Sequence, residues 1–556
     1  MYSSIPSAFL ITELLRLHDV KEVVISPGSR NAPLTIGFSE NVAFNCHSIV
    51  DERSAAFYAL GLAQAKNESV VLVCTSGSAL LNYFPAVAEA FYSDIPLLVL
   101  SADRPEHLLE IGDGQTILQA GVYGKMVAHS TKLLLDNPEN QSIINETNQS
   151  RIEEALFQLK STHRPVHINI PFEEPLYSKT ENSLFEILPV DFPSKGLQVK
   201  SQKINIPQID SPLKVMCLVG TLNPCSKEIE LLKVLNTQFP VLMLHESLSQ
   251  LSLPNAIDSI DTLIAPLERR DETIDKLKRL QPDLLITAGG MIVSKKIKAL
   301  LRTNNNLIHV HLEGKTARDT YFALQGSLNF SELKTLLDSI NIDTSYKEYW
   351  IDYYKSLDAR IVDYVKNAPY SDFKAYSLLF KNIPEDYIIQ VANSSAIRYA
   401  QLFPNQNYQY CNRGTSGIEG SVSTSVGFAK GTNSAVVLIT GDLSFLYDSN
   451  ALWTKDLPAN FRIIVVNNSG GGIFRILPGK EKSSYFSKYF ETVHDYTSKQ
   501  IAKQFDFEYK SVHKLSELEN ILDSFFDRSS KPQILEVMTN PQVNEAILLN
   551  YFKALQ

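Results

Sequence analysis

Cysteine is scarce in this 556-residue sequence, and none of the five cysteines stands in a ligand pattern. Cys46, Cys74, Cys217, Cys225 and Cys411 form no CxxC pair and no Cys/His spacing typical of a zinc site. Four of them lie in or beside apolar, strand-like runs, so we expect buried thiols in a reducing compartment. The 11 histidines are scattered and contain no HExxH pattern. Catalysis by a bound transition metal is therefore disfavoured.

Long apolar runs are missing as well. No stretch of about 20 apolar residues occurs, and the N-terminus lacks the basic and apolar regions of a signal peptide. Lys and Arg number 52 against 61 Asp and Glu, for a net charge of −9. An acidic chain is a poor general binder of nucleic acids or anionic membranes. We therefore expect a cytoplasmic protein with no nucleic-acid partner and no membrane insertion.

The length of the chain and the alternation of strand-like and helical patterns predict the fold class. A chain of 556 residues exceeds what one hydrophobic core supports, so two to four domains are expected. Apolar runs alternate with helical patterns, which predicts an α/β protein with three doubly wound, mostly parallel-sheet domains. The predicted division is an N-terminal α/β domain at 1–180, a linker at 181–205, a central α/β domain at 206–345, a helical connector at 346–369 and a C-terminal α/β domain at 370–556.

Individual elements follow from the apolar runs. Predicted helices cover 8–18 and 55–65, and a capping box from Ser150 to Glu153 predicts the start of a helix that ends at Lys160. The predicted strands are 22–25, 44–50, 70–74, 96–101, 165–170, 215–220, 239–244, 283–287, 306–311, 435–440 and 461–466.

Two of these strands end in a motif that carries chemistry. Gly441-Asp442-Leu443 follows the strand 435–440, and Asn467-Asn468-Ser469-Gly470 follows the strand 461–466. A crossover helix at 447–455 would make the two strands parallel. Asp442 and Asn468 would then share the carboxyl edge of one sheet, where open α/β folds bind their ligands.

The residue types at this edge suit a hard cation. A carboxylate, an amide oxygen and a free backbone carbonyl at Gly470 are ligands for Mg²⁺, which leaves its other positions to water and phosphate oxygens. The alternative is an ordinary pair of turns, with Gly for positive φ and Asn for capping.

Glu52 is the most informative single residue, because it follows a strand and precedes a helix. One interpretation is that its carboxylate caps the helix and interacts with the helix dipole. The other is that it hydrogen-bonds a ring nitrogen of a cofactor and controls its protonation.

Cationic side chains recur just after predicted strand ends. A lone Arg at such a place is more often part of a surface ion pair, but several of them in an acidic chain favour a pocket for polycarboxylates, which Arg binds with two parallel hydrogen bonds. The cations concerned are Arg30, Arg104, Lys295, Lys296, Arg398 and Arg413.

Three further segments contain residues that belong either to a site or simply to the packed interior. Ser76 and Gly77 either bind an anion at a helix N-terminus or serve tight packing. Ile418 is most simply a core residue. Phe474, after the glycines at 470–472, belongs either to the core or to a pocket wall.

With these features, the sequence resembles the thiamine-diphosphate-dependent decarboxylase and carboligase superfamily. A finer resemblance is to the 2-succinyl-5-enolpyruvyl-6-hydroxy-3-cyclohexene-1-carboxylate synthase (SEPHCHC synthase) family of menaquinone biosynthesis. The motifs that carry it are Ile25-Ser-Pro-Gly-Ser-Arg30, Asp51-Glu-Arg-Ser-Ala55, Ser101-Ala-Asp-Arg-Pro105, Asn412-Arg-Gly-Thr-Ser-Gly-Ile-Glu-Gly420, Gly441-Asp-Leu-Ser-Phe-Leu-Tyr-Asp448 and Val466-Asn-Asn-Ser-Gly-Gly471. The resemblance spans the chain and is weakest between about 180 and 370.

The resemblance implies a role for each matched residue. Glu52 would be catalytic and hydrogen-bond N1′ of the cofactor, Ile418 would keep the cofactor bent, and Asp442, Asn468 and the Gly470 carbonyl would hold Mg²⁺ or Mn²⁺. Other implied cofactor-binding residues are Ser76, Gly77, Ser394, Leu443, Ser444, Gly471 and Ile473. Implied substrate-binding residues are Ser29, Arg30, Arg104, Gln115, Lys295, Lys296, Ser394, Arg398, Arg413 and Phe474.

The same resemblance implies the domain roles, the substrates and the assembly. Residues 1–180 would bind the pyrimidine and 370–556 the diphosphate and metal, with active sites between the subunits of a homodimer or homotetramer. The implied substrates are 2-oxoglutarate and isochorismate. The alternatives are another thiamine-dependent 2-oxo-acid decarboxylase, such as an acetolactate-synthase-like enzyme, and a non-catalytic protein of the same fold.

Overall fold

The computed structural model of the chain describes residues 1–187, 204, 211–269, 271–314, 316–476 and 483–556. The chain forms two compact units, each made of segments distant in sequence. The first comprises Met1–Gln198, Asn412–Val436 and Ser444–Phe461, and the second comprises Val199–Cys411, Val437–Leu443 and Arg462–Gln556. Most of the predicted linker, 188–203 and 205, lies outside the described residues.

The first unit is built on a six-stranded sheet whose neighbouring strands are all parallel. Numbered along the chain, its strands lie side by side in the order second, first, third, fourth, sixth, fifth. The strands are Glu22–Ile25, Asn45–Ser48, Val70–Cys74, Leu97–Asp103, His129–Lys132 and Val166–Pro171. The helices that cover them are Pro6–Leu17, Ala32–Ser39, Glu52–Lys66, Ala79–Asn82, Phe84–Ser93 and Gln141–Thr162.

The strand positions follow from burial, since strands covered on both faces are apolar throughout. Val70–Cys74 and Leu97–Asp103 are buried at every position.

The capping-box prediction at Ser150 is wrong, because the helix already begins at Gln141. Asn148 explains the early start: its side chain bonds the N–H and C=O of Leu134 at 2.7 and 3.0 Å, which ties this part of the helix to the sheet.

One helix of the first unit comes from late in the sequence. Ser421–Gly431 packs along Glu52–Lys66 at a distance that only glycine permits. A Cβ at Gly61 would lie 1.9 Å from the backbone carbonyl oxygen of Thr424, and one at Gly427 would lie 2.0 Å from the backbone carbonyl oxygen of Tyr58. Substitution at either glycine would separate the helices.

The second unit contains a five-stranded parallel sheet from the central part of the chain, in the order second, first, third, fourth, fifth. Its strands are Val215–Val219, Leu242–His245, Leu284–Ala288, Ile308–Leu312 and Leu324–Leu328. Its helices are Glu228–Gln238, Ile260–Ile264, Asp271–Arg279, Lys295–Arg302 and Phe330–Ser339. The fifth strand was not predicted, because its sequence, Leu-Gln-Gly-Ser-Leu, has only two apolar residues.

Two helices follow in place of the single predicted connector pattern, Thr344–Lys355 and Asp358–Asn367. The first packs on the central sheet, where Trp350 is 1% exposed and the Tyr346 hydroxyl donates to the Leu280 carbonyl at 2.6 Å.

The second unit also contains a six-stranded sheet, with the strand order found in the first unit. Its strands are Tyr387–Val391, Gln409–Tyr410, Ala435–Gly441, Phe461–Asn467, Glu508–Val512 and Gln533–Met538. Among the described residues after 370, which belong to both units, the α-helices of at least four residues are Asp372–Asn382, Ser395–Ala400, Ser421–Gly431, Asp442–Tyr447, Ile473–Ile476, Lys499–Gln504, Leu515–Phe525 and Pro541–Ala554.

Several sheets of parallel strands confirm the predicted α/β fold class. The crossover helix predicted at 447–455 is wrong in its bounds: a helix begins at Asp442 and ends at Tyr447, and a 3₁₀ helix covers Ser449–Trp453. Buried Asp448 accounts for the break, since it accepts hydrogen bonds from the N–H and hydroxyl of Ser423 at 2.7 and 2.8 Å.

All five cysteines are free thiols, but Cys46 and Cys225 are exposed, contrary to the expected burial. Among the described residues, no helix combines the length and apolarity needed to span a bilayer.

Candidate active site

In the first unit, Glu52 is the first residue of the helix Glu52–Lys66, and its side chain is half-buried. Asp51, not Glu52, caps this helix, because its side chain accepts from the Ser54 N–H at 3.1 Å. Glu52 therefore does not cap the helix, although it lies in the first turn, where a carboxylate interacts favourably with the helix dipole. Burial raises the pKa of the nearby Cys74 thiol, and the negative charge of Glu52 adds to that rise.

The turn after Val70–Cys74 contains Ser76 and Gly77. Gly77 has a φ of +86°, and a Cβ there would lie 3.1 Å from the Cα of Gln115. The structure thus brings together two of the predicted site residues, Gly77 and Gln115. The Gly77 N–H donates to Oε1 of buried Gln119 at 2.8 Å.

Gln119 starts a buried polar network that sequence reasoning missed. Its Nε2 donates to Oδ1 of Asn169 at 2.8 Å, and Nδ2 of Asn169 donates to Asp103 at 2.7 Å. Burial raises the pKa of Asp103, although the bond from Asn169 opposes this rise. The network therefore links the turn at Gly77 with the strand end that precedes Arg104.

Arg30 and Arg104 differ in exposure. Arg30 is 5% exposed and donates to the Phe172 carbonyl at 3.1 Å and to Glu174 at 3.2 Å. Arg104 pairs with the exposed carboxylate of Asp113 at 3.3 Å. Ser29, next to Arg30, is exposed. The carboxylates that pair with the two guanidinium groups, Glu174 and Asp113, are both exposed.

The first unit also contains Arg413, Ile418 and Ser444. The loop after Arg413 is anchored by buried Glu89, which accepts from the N–H groups of Gly414 and Thr415 at 2.7 and 2.6 Å. Ile418 is 38% exposed, so the interpretation of it as a core residue is wrong. Its carbonyl accepts from the Ser444 hydroxyl at 2.6 Å.

In the second unit, Asp442 and Gly470 are hydrogen-bonded to each other. Asp442 is 4% exposed; one of its oxygens accepts from the Gly470 N–H at 2.9 Å and the other from the Leu443 N–H at 2.7 Å. The Gly470 carbonyl, predicted to be free, accepts from the Gly472 N–H at 2.9 Å. A carbonyl oxygen has a second lone pair that can bind a cation.

Asn468 has a buried amide whose two ends differ. Its Nδ2 donates to Asp372 at 2.8 Å, whereas its Oδ1 is buried and accepts no hydrogen bond from the described residues. Buried polar atoms are nearly always satisfied, so an orphaned oxygen needs an explanation. With the Asp442 carboxylate and the Gly470 carbonyl, this oxygen gives a donor set that fits Mg²⁺ or Mn²⁺.

His494 was not predicted, because it lies in a loop far from any motif. Its Nδ1 accepts from the Tyr496 N–H at 3.1 Å, so the proton of the neutral ring is on Nε2. Nε2 faces Asp442 at 3.3 Å, and this interaction raises the pKa of His494. The imidazole therefore interacts electrostatically with the Asp442 carboxylate.

The glycine-rich loop continues into the short helix Ile473–Ile476. A Cβ at Gly471 would lie 2.9 Å from the ring of Phe474, so the two are in contact. Phe474 is half-buried and meets Phe490 edge to face, with ring centroids 5.8 Å apart.

The other cationic residues predicted to bind substrate, Lys295, Lys296 and Arg398, belong to the second unit. Lys296 forms a salt bridge with Glu268, whereas Lys295 is exposed. Lys296 and Arg398 both act electrostatically on buried Asp261, which places the two cations in one region. Ser394 precedes the helix that contains Arg398 and has a φ of +69°, a strained value for a non-glycine residue.

A buried acid that sequence reasoning missed fixes the loop before Lys295. Glu246, 2% exposed, accepts from the N–H groups of Val293 and Ser294 at 2.6 and 2.7 Å. The Ser294 side chain in turn caps the helix that starts at Lys295. The position of Lys295 therefore depends on Glu246.

Comparisons with known proteins bear on both units. Residues 7–125 match the model of the thiamine pyrophosphate enzyme N-terminal TPP binding domain, and residues 392–537 match that of the C-terminal TPP binding domain. The chain is 44% identical to a SEPHCHC synthase of Christiangramia forsetii and 43% identical to one of Flavobacterium psychrophilum, covering 100% of both chains in each case. It is 37% identical to a synthase of the same name from Phocaeicola vulgatus, over 100% of this chain and 99% of the relative.

Likeness of this extent leaves no part of the sequence outside the comparison. The chain belongs to the SEPHCHC synthase family of thiamine-diphosphate-dependent enzymes.

Proposed function

We propose that this protein decarboxylates 2-oxoglutarate and transfers the resulting succinyl group to isochorismate, releasing CO₂, in menaquinone biosynthesis. The observation that carries the proposal is the identity of 44% to a relative of that name over the full length of both chains. The chain would therefore be a thiamine-diphosphate-dependent transferase that forms a carbon–carbon bond.

The chemistry of the substrates supports this choice among thiamine enzymes. Both are dicarboxylates, so binding requires several fixed cations, whereas pyruvate or benzoyl groups need smaller or more apolar sites. Arg is suited to the task because its planar fork binds a carboxylate through two hydrogen bonds. The proposed substrate residues are Ser29, Arg30, Arg104, Gln115 and Arg413 in the first unit and Lys295, Lys296, Ser394, Arg398 and Phe474 in the second.

The proposed role of Glu52 is to hold a proton at N1′ of the cofactor pyrimidine. An ionised carboxylate forms a strong, charge-assisted hydrogen bond to such a protonated nitrogen. The cofactor, when bound, supplies an electron sink for the carbon that loses CO₂. Ile418 would support the bent cofactor through its exposed side chain, and Ser76 and Gly77 would approach it through backbone.

Asp442, Asn468 and the Gly470 carbonyl would hold the divalent cation, Mg²⁺ or Mn²⁺, against the diphosphate. The support is the orphaned Oδ1 of Asn468 beside a carboxylate that already has two backbone donors. Leu443, Ser444, Gly471 and Ile473 would contact the cofactor from the ends of the same strands.

The experiment for this proposal is an assay with thiamine diphosphate, Mg²⁺, 2-oxoglutarate and isochorismate, followed by the isochorismate absorbance. We expect loss of isochorismate that requires both 2-oxoglutarate and the cofactor. Pyruvate in place of 2-oxoglutarate is the matched control. Consumption of pyruvate with no loss of isochorismate would instead identify an acetolactate-synthase-like enzyme.

We also propose a cytoplasmic homodimer or homotetramer with active sites between subunits, as the family resemblance implies. Co-expression of Glu52→Gln and Asp442→Ala chains tests this. If each site takes the two residues from different subunits, mixed dimers contain one intact site and recover up to about a quarter of the wild-type activity. If both residues of a site come from one subunit, mixing restores nothing.

A further inference from the structure

Asp372 is a buried carboxylate that belongs to no sequence motif and lies next to the metal motif of the second unit. It is 3% exposed and is the first residue of the helix Asp372–Asn382. Its Oδ1 accepts from the Thr539 hydroxyl at 2.5 Å, and its Oδ2 accepts from Nδ2 of Asn468 at 2.8 Å. Both oxygens are thus used within the protein.

The contact with Asn468 decides how that amide is oriented. A carboxylate only accepts hydrogen bonds, so the NH₂ end of Asn468 must face Asp372. The oxygen must then face the opposite way, and there it is buried and accepts no bond from the described residues. Because the oxygen and the NH₂ group of an amide have nearly the same shape, packing alone would not fix this orientation, and the carboxylate is needed to do so.

Gly472 limits the amide from another side. A Cβ at this position would lie 2.7 Å from Nδ2 and 3.4 Å from Oδ1 of Asn468, so the glycine backbone packs directly against the amide. The side chain therefore has little room to turn away.

We propose that Asp372 is a positioning residue that presents the Asn468 oxygen to the divalent cation. The inference rests on the cofactor and metal of the proposed function, but not on its substrates. A merely structural role, in which Asp372 anchors its helix through Thr539, is the alternative that the experiment must exclude.

The first test uses Asp372→Leu, which removes both acceptors while keeping a similar size. Groups that orient metal ligands typically contribute about 10- to 100-fold to metal affinity, so we expect the Kd for Mn²⁺ to rise by that factor. Kd is measured by electron paramagnetic resonance of Mn²⁺ with thiamine diphosphate present and no substrate. Thr539→Val is the matched control, because it removes the other bond to Asp372 and should change the Kd less than about threefold.

The second test exchanges the two side chains. In Asn468→Asp alone, two carboxylates would face each other, and we expect the Mn²⁺ Kd to rise at least about 10-fold. In the double variant Asp372→Asn with Asn468→Asp, the new amide donates to the new carboxylate, whose other oxygen again faces the cation. We therefore expect at least half of that loss, on a logarithmic scale, to be recovered.

The exchange keeps the proposal falsifiable if Asp372→Leu does not fold. A double variant that binds Mn²⁺ no better than Asn468→Asp would overturn the proposal, as would an unchanged Kd in a folded Asp372→Leu protein. Failure of the wild-type protein to consume isochorismate while it binds Mn²⁺ and thiamine diphosphate would instead contradict only the proposed reaction.

Discussion

The two six-stranded sheets have the same strand order, yet the residues after their corresponding strands do different chemistry. The second strand is followed by Glu52 in the first unit, but by Arg413 in the C-terminal sheet. The third is followed by Ser76 in one and Asp442 in the other, and the fourth by Arg104 in one and Asn468 in the other. A common topology thus supplies equivalent positions, and a few side chains decide what each can bind.

Hydrogen bonding sharpens the contrast between these two edges. Behind Arg104, the network of Gln119, Asn169 and Asp103 gives each side-chain oxygen a donor. In the C-terminal sheet, the corresponding amide of Asn468 leaves one buried oxygen without a donor among the described residues. The oxygens of these three side chains are satisfied within the protein, whereas the Asn468 oxygen is left available to a cation.

The largest expected effect is at the C-terminal edge. Asp442→Ala removes the only carboxylate among the proposed metal ligands, so we expect Mg²⁺-dependent affinity for thiamine diphosphate to fall by more than the ~100-fold that outer-shell changes can cause. Isothermal calorimetry at fixed Mg²⁺ measures this. Asp523→Ala, at an exposed helical position, is the control and should bind normally. Normal binding by Asp442→Ala would break the contrast between the edges.

The equivalent test at the first edge separates rate from binding. Glu52→Gln keeps the shape of the side chain but loses the charge that favours a proton at N1′. We expect turnover to fall at least about 100-fold, the scale of positioned acid–base catalysis, while calorimetry shows thiamine diphosphate still bound. Glu68→Gln, at an exposed position, is the control. Full activity in Glu52→Gln would refute the assigned role.

The central sheet allows a comparison of two adjacent lysines. Lys296 is held by Glu268, whereas Lys295 is exposed at the start of the helix positioned by Glu246. We expect Lys295→Ala to raise the KM of a dicarboxylate substrate about 10-fold, as loss of one charged hydrogen bond predicts. Lys296→Ala should change it several-fold less. Steady-state kinetics decide, and the reverse ranking would show that the substrate replaces Glu268 as the partner of Lys296.

The smallest expected effect concerns the amino end of the first sheet. Burial alone would raise the pKa of Glu22, but hydrogen bonds from His47, Asn45 and Lys66 outweigh it and lower the pKa to about 2. A carboxyl with a lowered pKa stabilises the folded state above its unfolded pKa of about 4.5, and this stabilisation is lost as the pH falls toward 2.

Glu22→Gln should therefore lower the urea midpoint of unfolding at pH 7, and the difference from wild type should shrink below pH 4.5. The corresponding strand of the C-terminal sheet begins with Tyr387, so the equivalent position there has no carboxyl group that could titrate. An equal difference at pH 7 and pH 3.5 would show that packing, not charge, accounts for the effect.

What could be predicted from the sequence was local. Buried strands such as Val70–Cys74 are apolar throughout, and residues that follow them, such as Asp442, are placed by the strand itself. Asp372 could not be found, because it meets Asn468 across 96 residues of sequence. Glu246 escaped for the same reason, since its partners lie 47 and 48 residues away. The capping-box pattern at Ser150 failed because a tertiary contact at Asn148 overrode a local signal.

The close packing of Gly61 and Gly427 also has a consequence for biosynthesis. Helix Glu52–Lys66 is made early, but its packing partner Ser421–Gly431 emerges more than three hundred residues later. At about 5–20 residues per second, the face around Gly61 waits on the order of twenty to seventy seconds for its cover. Until then the apolar face of this helix lacks its cover, so we expect the first unit to complete its packing only after residue 431 has been made.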